Sequence, residues 1–132
     1  MKQKIPWARP LVGREELKYI KDCFEKERFT QGKKVRKFEK NLAKITNSKY
    51  AIAVSNGTVA LDLAYKALGI KSNDEVILPA LSYISTASAI SYQGAVPVFV
   101  DVNFKNNCID VSKIEDAITR KTKAISFIDY GG

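Results

Sequence analysis

Tyr50-Ala51-Ile52-Ala53-Val54-Ser55-Asn56-Gly57-Thr58-Val59-Ala60-Leu61-Asp62-Leu63-Ala64-Tyr65-Lys66-Ala67-Leu68 is the stretch on which the reading of this chain turns. An apolar run enters a polar turn and leaves it as apolar residues at helical spacing, which predicts a strand over 50–54 and a helix over 58–68, stopped by Gly69. Such a junction turns unpaired backbone N–H groups and the positive end of a helix dipole outward, where a phosphate can be held. Gly57 lets the backbone approach closely and Thr58 adds a hydroxyl. Taken alone, the same residues also read as a plain helix cap, because Ser, Asn and Gly serve that purpose in many α/β proteins.

Working outward, short apolar runs alternate with helical stretches. Further strands are predicted over 75–78, 96–100 and 124–128, and further helices over 82–91 and 112–118, with Ser112 and Glu115 as a capping box. This rhythm predicts an α/β fold, a mostly parallel sheet with helices on both faces. Upstream, a Pro-containing arm precedes a helix carrying Leu17, Ile20 and Phe24, then a second, basic helix carrying Val35, Phe38, Leu42 and Ile45; Thr30-Gln31-Gly32 separates them. The expected organisation is an arm and two helices over 1–49, packing on an α/β unit over 50–132. Residues 123–132 read as a buried strand entering a glycine turn, where a chain bends into its next element, so a fragment of a longer polypeptide is expected.

The chain has 132 residues, 45% of them hydrophobic, enough for one domain with a core. Its net charge of +8 is lopsided: residues 1–49 hold 15 of the 22 basic and 6 of the 14 acidic side chains, and the remainder is nearly neutral. A nucleic acid, a nucleotide diphosphate or simply a solvated helical face would suit that field. No nucleic-acid motif or aromatic-rich basic strand accompanies it, so nucleic acid is not expected as a partner. Cys23 and Cys108 lie far apart and there is no histidine, which argues against a metal site and suits a reducing compartment. The segment Met1-Lys2-Gln3-Lys4-Ile5-Pro6-Trp7 lacks the apolar centre of a signal peptide, and no apolar run is long enough to cross a bilayer; a cytoplasmic protein without membrane partners is expected.

A series of blocks then becomes specific by order and spacing: Phe29-Thr30-Gln31-Gly32 with Val35 and Phe38-Glu39; Ala53-Val54-Ser55-Asn56-Gly57-Thr58-Val59-Ala60-Leu61; Asp74-Glu75-Val76-Ile77-Leu78-Pro79-Ala80-Leu81-Ser82-Tyr83-Ile84-Ser85-Thr86; Gly94-Ala95-Val96-Pro97-Val98-Phe99-Val100-Asp101-Val102; and Thr122-Lys123-Ala124-Ile125. Through them the chain resembles the N-terminal part of the DegT/DnrJ/EryC1/StrS aminotransferases, pyridoxal-phosphate enzymes of fold type I that aminate keto-sugars on nucleotide carriers. The resemblance implies part of the large domain of that fold, and pyridoxal 5'-phosphate as cofactor. It assigns the cofactor phosphate to Gly57 and Thr58, with Asn56 beside them, where turn geometry is its other reading. Tyr83 takes the position of the aromatic residue that stacks on the cofactor ring. Thr30 and Gly32 fall in a loop near the active site, commonly that of a neighbouring subunit, and are the candidate substrate-binding residues; a helix-to-helix turn needing glycine is the other reading. Ser85 and Thr86 are read as local helix caps; Asp101 ends an apolar strand at the carboxyl edge of the sheet, where an acid often faces a ligand crevice, but the preferred reading is the cap of the following turn. Asp129 sits at the same edge and aligns with a polar position near the cofactor.

The implied activity is transfer of an amino group from glutamate or glutamine to a nucleotide-linked keto-sugar, in amino-sugar or cell-surface polysaccharide biosynthesis, by a homodimer. Such chemistry needs a lysine that attaches the cofactor and a carboxylate paired with its ring nitrogen. In the family both lie beyond the point matching residue 132, and no lysine here fits that motif; Lys123 enters a strand and so lies at the wrong end. No catalytic residue is therefore assigned, and the chain alone is expected to be inactive. The alternative is a non-catalytic phosphate- or nucleotide-binding module of the same fold.

Overall fold

The computed structural model describes residues 8–26 and 29–132, so the part of the predicted arm over 1–7 lies outside the described residues. Two compact units are present, 1–53 and 54–132. In the first, α1 (Arg14–Lys26) and α2 (Lys33–Ile45) form where the apolar spacing places them, and neither contains a buried residue. Glu16 accepts the Gly13 N–H at 2.7 Å, which ties down the start of α1. Asp22 pairs with Lys26 and Lys34, and Phe24 meets Phe29 edge to face at 4.9 Å.

The second unit is the α/β part. Its elements are α3 (Gly57–Ala67), β1 (Glu75–Pro79), α4 (Ser85–Tyr92), β2 (Val96–Val100), a 3-10 turn (Val111–Lys113) running into α5 (Ile114–Ala117), and β3 (Thr122–Ile125). The strands form a parallel sheet in the order β2-β1-β3. β1 is central and apolar because it is covered on both sides: Val76 and Leu78 pack with Tyr65 of α3, Ala89 and Ile90 of α4, Ile70 and Ala95, whereas Ile77 packs with Val100 and Ile109, against Val98, Ile114 and Ala117. Burying each of these larger side chains is worth about 2 kcal/mol. Pro97, which has no N–H to give a ladder, sits on an edge strand.

Several sequence expectations need correction. No strand forms over 50–54: its composition is strand-like, but no neighbouring strand pairs with it among the described residues, and a strand exists only through its partner's hydrogen bonds. The last strand ends at Ile125 rather than 128, the final bond to its neighbour being Ser126 N–H to Ile77 O at 2.7 Å. Helix α4 begins at Ser85, so residues 82–84 belong to the loop. The helix over 112–118 is a 3-10 turn and one α-turn, and its cap is Asp110, which accepts from the Ser112 N–H at 3.1 Å and hydroxyl at 2.7 Å; the Ser112–Glu115 capping box does not form.

Candidate active site

Topology brings the candidate residues of the second unit to one sheet edge. β1 follows α3 after a short turn through Gly69 and Asp74, and α3 packs on the β1 face with Tyr65, so its N-terminus lies at the edge where β1 ends. Because the strands are parallel, the carboxyl ends of β2 and β3 share that edge, and α4 starts there too.

Asn56 is in extended conformation (φ −167°, ψ 172°) and makes the entry to α3. Its Oδ1 accepts from the Val59 N–H at 3.0 Å, and its carbonyl accepts from the Ala60 N–H at 3.1 Å. The Gly57 and Thr58 N–H groups, next to the positive end of the helix dipole, have no acceptor among the described residues. A Cβ placed on Gly57 would meet nothing within 4 Å, so the turn is not crowded on that side. This arrangement fits an anion such as a phosphate: free donors, favourable dipole, no obstructing side chain. The Asn56 side chain itself is committed to the cap.

Tyr83 stands in the loop between β1 and α4, with 75% of its surface exposed. Its carbonyl accepts from the Thr86 N–H at 3.0 Å, fixing the backbone while leaving the ring open to a ligand face. Ser85 and Thr86 are buried inside α4 and give it no side-chain cap, which corrects their reading as caps; they pack where the helix meets the core.

Thr30 and Gly32 lie in the first unit. Gly32 is the residue before α2 (φ −142°), a conformation open to any residue, so the turn does not demand glycine; Thr30 is exposed beside it. Asp101 does not cap the following turn: its carboxylate pairs with Lys113 at 2.8 Å, and only its carbonyl serves the turn, accepting the Asp110 N–H at 2.9 Å. That contact holds the Lys113 ammonium above its ordinary pKa. Asp129 is exposed and its carbonyl accepts from the Gly132 N–H at 3.1 Å.

Of the residues that line this edge, sequence reasoning reaches only Asp101, as an acid open to a ligand crevice; the cleft around it was missed. A cleft of about 300 Å³ lies beyond β1 and β2, lined by Ala80, Leu81, Asp101, Val102, Phe104 and Lys113. The signal was available in the strand order rather than in any motif. Among the described residues, no three His, Cys, Asp or Glu gather as a metal set, and no helix is long and apolar enough to cross a membrane.

A model of the DegT/DnrJ/EryC1/StrS aminotransferase family matches residues 10–132. Among curated proteins, the chain is 41% identical over 128 residues to the spore coat polysaccharide biosynthesis protein SpsC of Bacillus subtilis, covering 97% of this chain and 33% of that protein. It is 43% identical over 129 residues to the GDP-perosamine synthase of Escherichia coli O157:H7, covering 97% of this chain and 35% of that protein. Among solved structures, it is similar to the E. coli GDP-4-keto-6-deoxy-D-mannose-3-dehydratase with bound hydrated PLP: TM-score 0.85, 34% identity, over 92% of this chain and 33% of that one. The chain thus spans about a third of the length of the curated relatives it matches.

Proposed function

Because this chain belongs to the DegT/DnrJ/EryC1/StrS aminotransferase family, we propose that it forms the phosphate-cradling, ring-stacking part of a pyridoxal-phosphate enzyme. The proposed reaction moves an amino group from glutamate or glutamine to a nucleotide-linked keto-sugar, in polysaccharide or amino-sugar biosynthesis. The observation that carries this reading is the pair of free donors at Gly57 and Thr58, in an uncrowded turn at the edge where the strands end. Open α/β sheets bind their ligands at that edge.

Each residue has a physical task. The Gly57 and Thr58 N–H groups, with the Thr58 hydroxyl, bind the phosphate, and the α3 dipole favours its charge. Asn56 keeps the first turn in register through Val59. Tyr83 lies against the cofactor ring, orienting it and keeping water from one face. When bound, pyridoxal phosphate supplies an electron sink for the carbon that loses its proton. The lysine and the ring-nitrogen carboxylate come, on this reading, from polypeptide outside these 132 residues, as does any activity. Thr30 and Gly32 approach the substrate of a neighbouring subunit in a homodimer, and the enzyme works in the cytoplasm.

The test is pyridoxal-phosphate binding by the complete polypeptide, followed by absorbance and by borohydride trapping. Thr58→Ala is expected to weaken binding about tenfold, the loss of roughly one hydrogen bond to a charged group. Trapping on a lysine outside residues 1–132 supports the enzyme. Unchanged binding in Thr58→Ala together with no trapping leaves the non-catalytic module as the better description.

A further inference from the structure

The cleft beyond β1 and β2 lies at a point that the topology singles out. The chain leaves β1 through α4, on the face of Val76 and Leu78, and leaves β2 through the 3-10 turn and α5, on the face of Ile77. Two adjacent strands whose outgoing connections diverge to opposite faces open a crevice between their carboxyl ends, the general location of ligand sites in open parallel sheets. Ala80 and Leu81 line it from β1; Asp101, Val102 and Phe104 line it from β2, and Lys113 from the turn before α5.

Its walls are built ahead of any ligand. Phe104 is 99% exposed, yet it sits on a braced loop rather than a loose one. Val102 and Ile109 form an antiparallel bridge, and Asn103 donates its N–H to Cys108 O at 2.9 Å. The Asn103 side chain accepts from Lys105 N–H at 2.9 Å, and that of Asn106 from Cys108 N–H at 3.0 Å. In the same cleft, Asp101 Oδ2 meets Lys113 Nζ at 2.8 Å, and Asp101 Oδ1 has no partner among the described residues. An aromatic face thus stands next to a carboxylate acceptor and an ammonium donor placed side by side. A flat aromatic ligand bearing adjacent donors beside an acceptor complements all three groups.

We propose that this cleft binds the base of the substrate's nucleotide carrier, and that it prefers guanine. Guanine presents N1–H and the N2 amino group side by side, suited to the two oxygens of one carboxylate, with O6 next to them for an ammonium. Uracil and thymine present one N–H between two carbonyls, which gives Asp101 a single donor and a repelling oxygen. Adenine presents no second donor in that position. The base stacks on Phe104, as bases do on exposed aromatic side chains. Both this cleft and the N-terminus of α3 open at the edge where the strands end, so the base and the cofactor phosphate share one side of the sheet. The proposal rests on the reading of the substrate as a nucleotide-linked sugar.

The experiment is calorimetric titration of the full chain with GDP, UDP, dTDP and ADP, beside pyridoxal-phosphate binding on the same preparations. GDP is expected to bind at least tenfold more tightly than the other three. Asp101→Asn abolishes that preference, and Phe104→Ala weakens all four nucleotides alike; circular dichroism of each variant reports that it is folded, and Lys113→Met repeats the loss of preference independently. Equal affinities, no nucleotide binding, or a guanine preference that survives Asp101→Asn in a folded protein overturns the proposal. Cofactor binding without base preference would sink this inference and leave the α3 site standing; a guanine preference without cofactor binding would do the reverse.

Discussion

Asn56 holds Val59 through a hydrogen bond of 3.0 Å from the Val59 N–H to Oδ1, and in doing so satisfies the third donor of α3 while leaving the first two free. Cap and candidate site are therefore separable by mutation. Asn56→Ala is expected to cost about 1 kcal/mol of stability in chemical denaturation. Asn56→Asp keeps the cap, so stability is held, but sets a negative charge beside the proposed phosphate; pyridoxal-phosphate affinity of the complete protein should fall at least tenfold. Full affinity in a stable Asn56→Asp protein would remove the phosphate from this corner.

Tyr83 gives a complementary test, since its ring is exposed and bears on folding only weakly. Tyr83→Phe should retain cofactor affinity within about twofold and Tyr83→Ala should lose about fivefold, the scale of an aromatic contact of about 1 kcal/mol. Both variants should melt like the parent. A fall in Tyr83→Phe equal to that in Tyr83→Ala would mean that the hydroxyl, not the ring, does the work.

Gly94 separates backbone strain from crowding. It lies at φ +73°, and a Cβ there would stand 3.3 Å from the Ser72 Cβ, whereas Gly69, at φ +74°, has nothing within 4 Å. Gly69→Ala should cost about 1 kcal/mol from the left-handed backbone alone. Gly94→Ala should cost clearly more, because Ser72 must also move. Equal melting points for the two variants would contradict this account.

Asp110 sets a pH dependence. The Ser112 hydroxyl and N–H both donate to its carboxylate and hold its pKa below the ordinary value. A depressed folded value means that the stabilisation is present above the unfolded pKa and is lost as pH falls through the folded one. The start of the 3-10 turn should therefore loosen only in acid, below the usual carboxylate range. Ser112→Ala should raise the Asp110 pKa in an NMR titration; an unmoved titration curve would show that the hydroxyl contributes nothing.

Much of this architecture was legible in residue order, and the misreadings share a cause. Leu17, Ile20 and Phe24 announce α1, and the run from Val59 to Leu68 announces α3, because helices are closed by bonds within their own segment. The run over 50–54 looks equally strand-like, yet no strand forms there, because the hydrogen bonds of a strand belong to a neighbour that its own sequence cannot supply. The spacing of Ser112 and Glu115 predicts a capping box, yet Asp110 takes the cap because its carboxylate reaches both Ser112 donors.

Residue order alone carries the helical runs, the family blocks and the Asn56-Gly57-Thr58 junction, because helices and their caps close with bonds inside their own segment and the blocks are read by their order and spacing. Packing in three dimensions, by contrast, buries Ser85 and Thr86 and brings Ala80, Asp101, Phe104 and Lys113 to one cleft. Those facts follow from strand order and from which face each connection crosses. Residues far apart in the chain are joined there by packing, and local spacing carries no record of it.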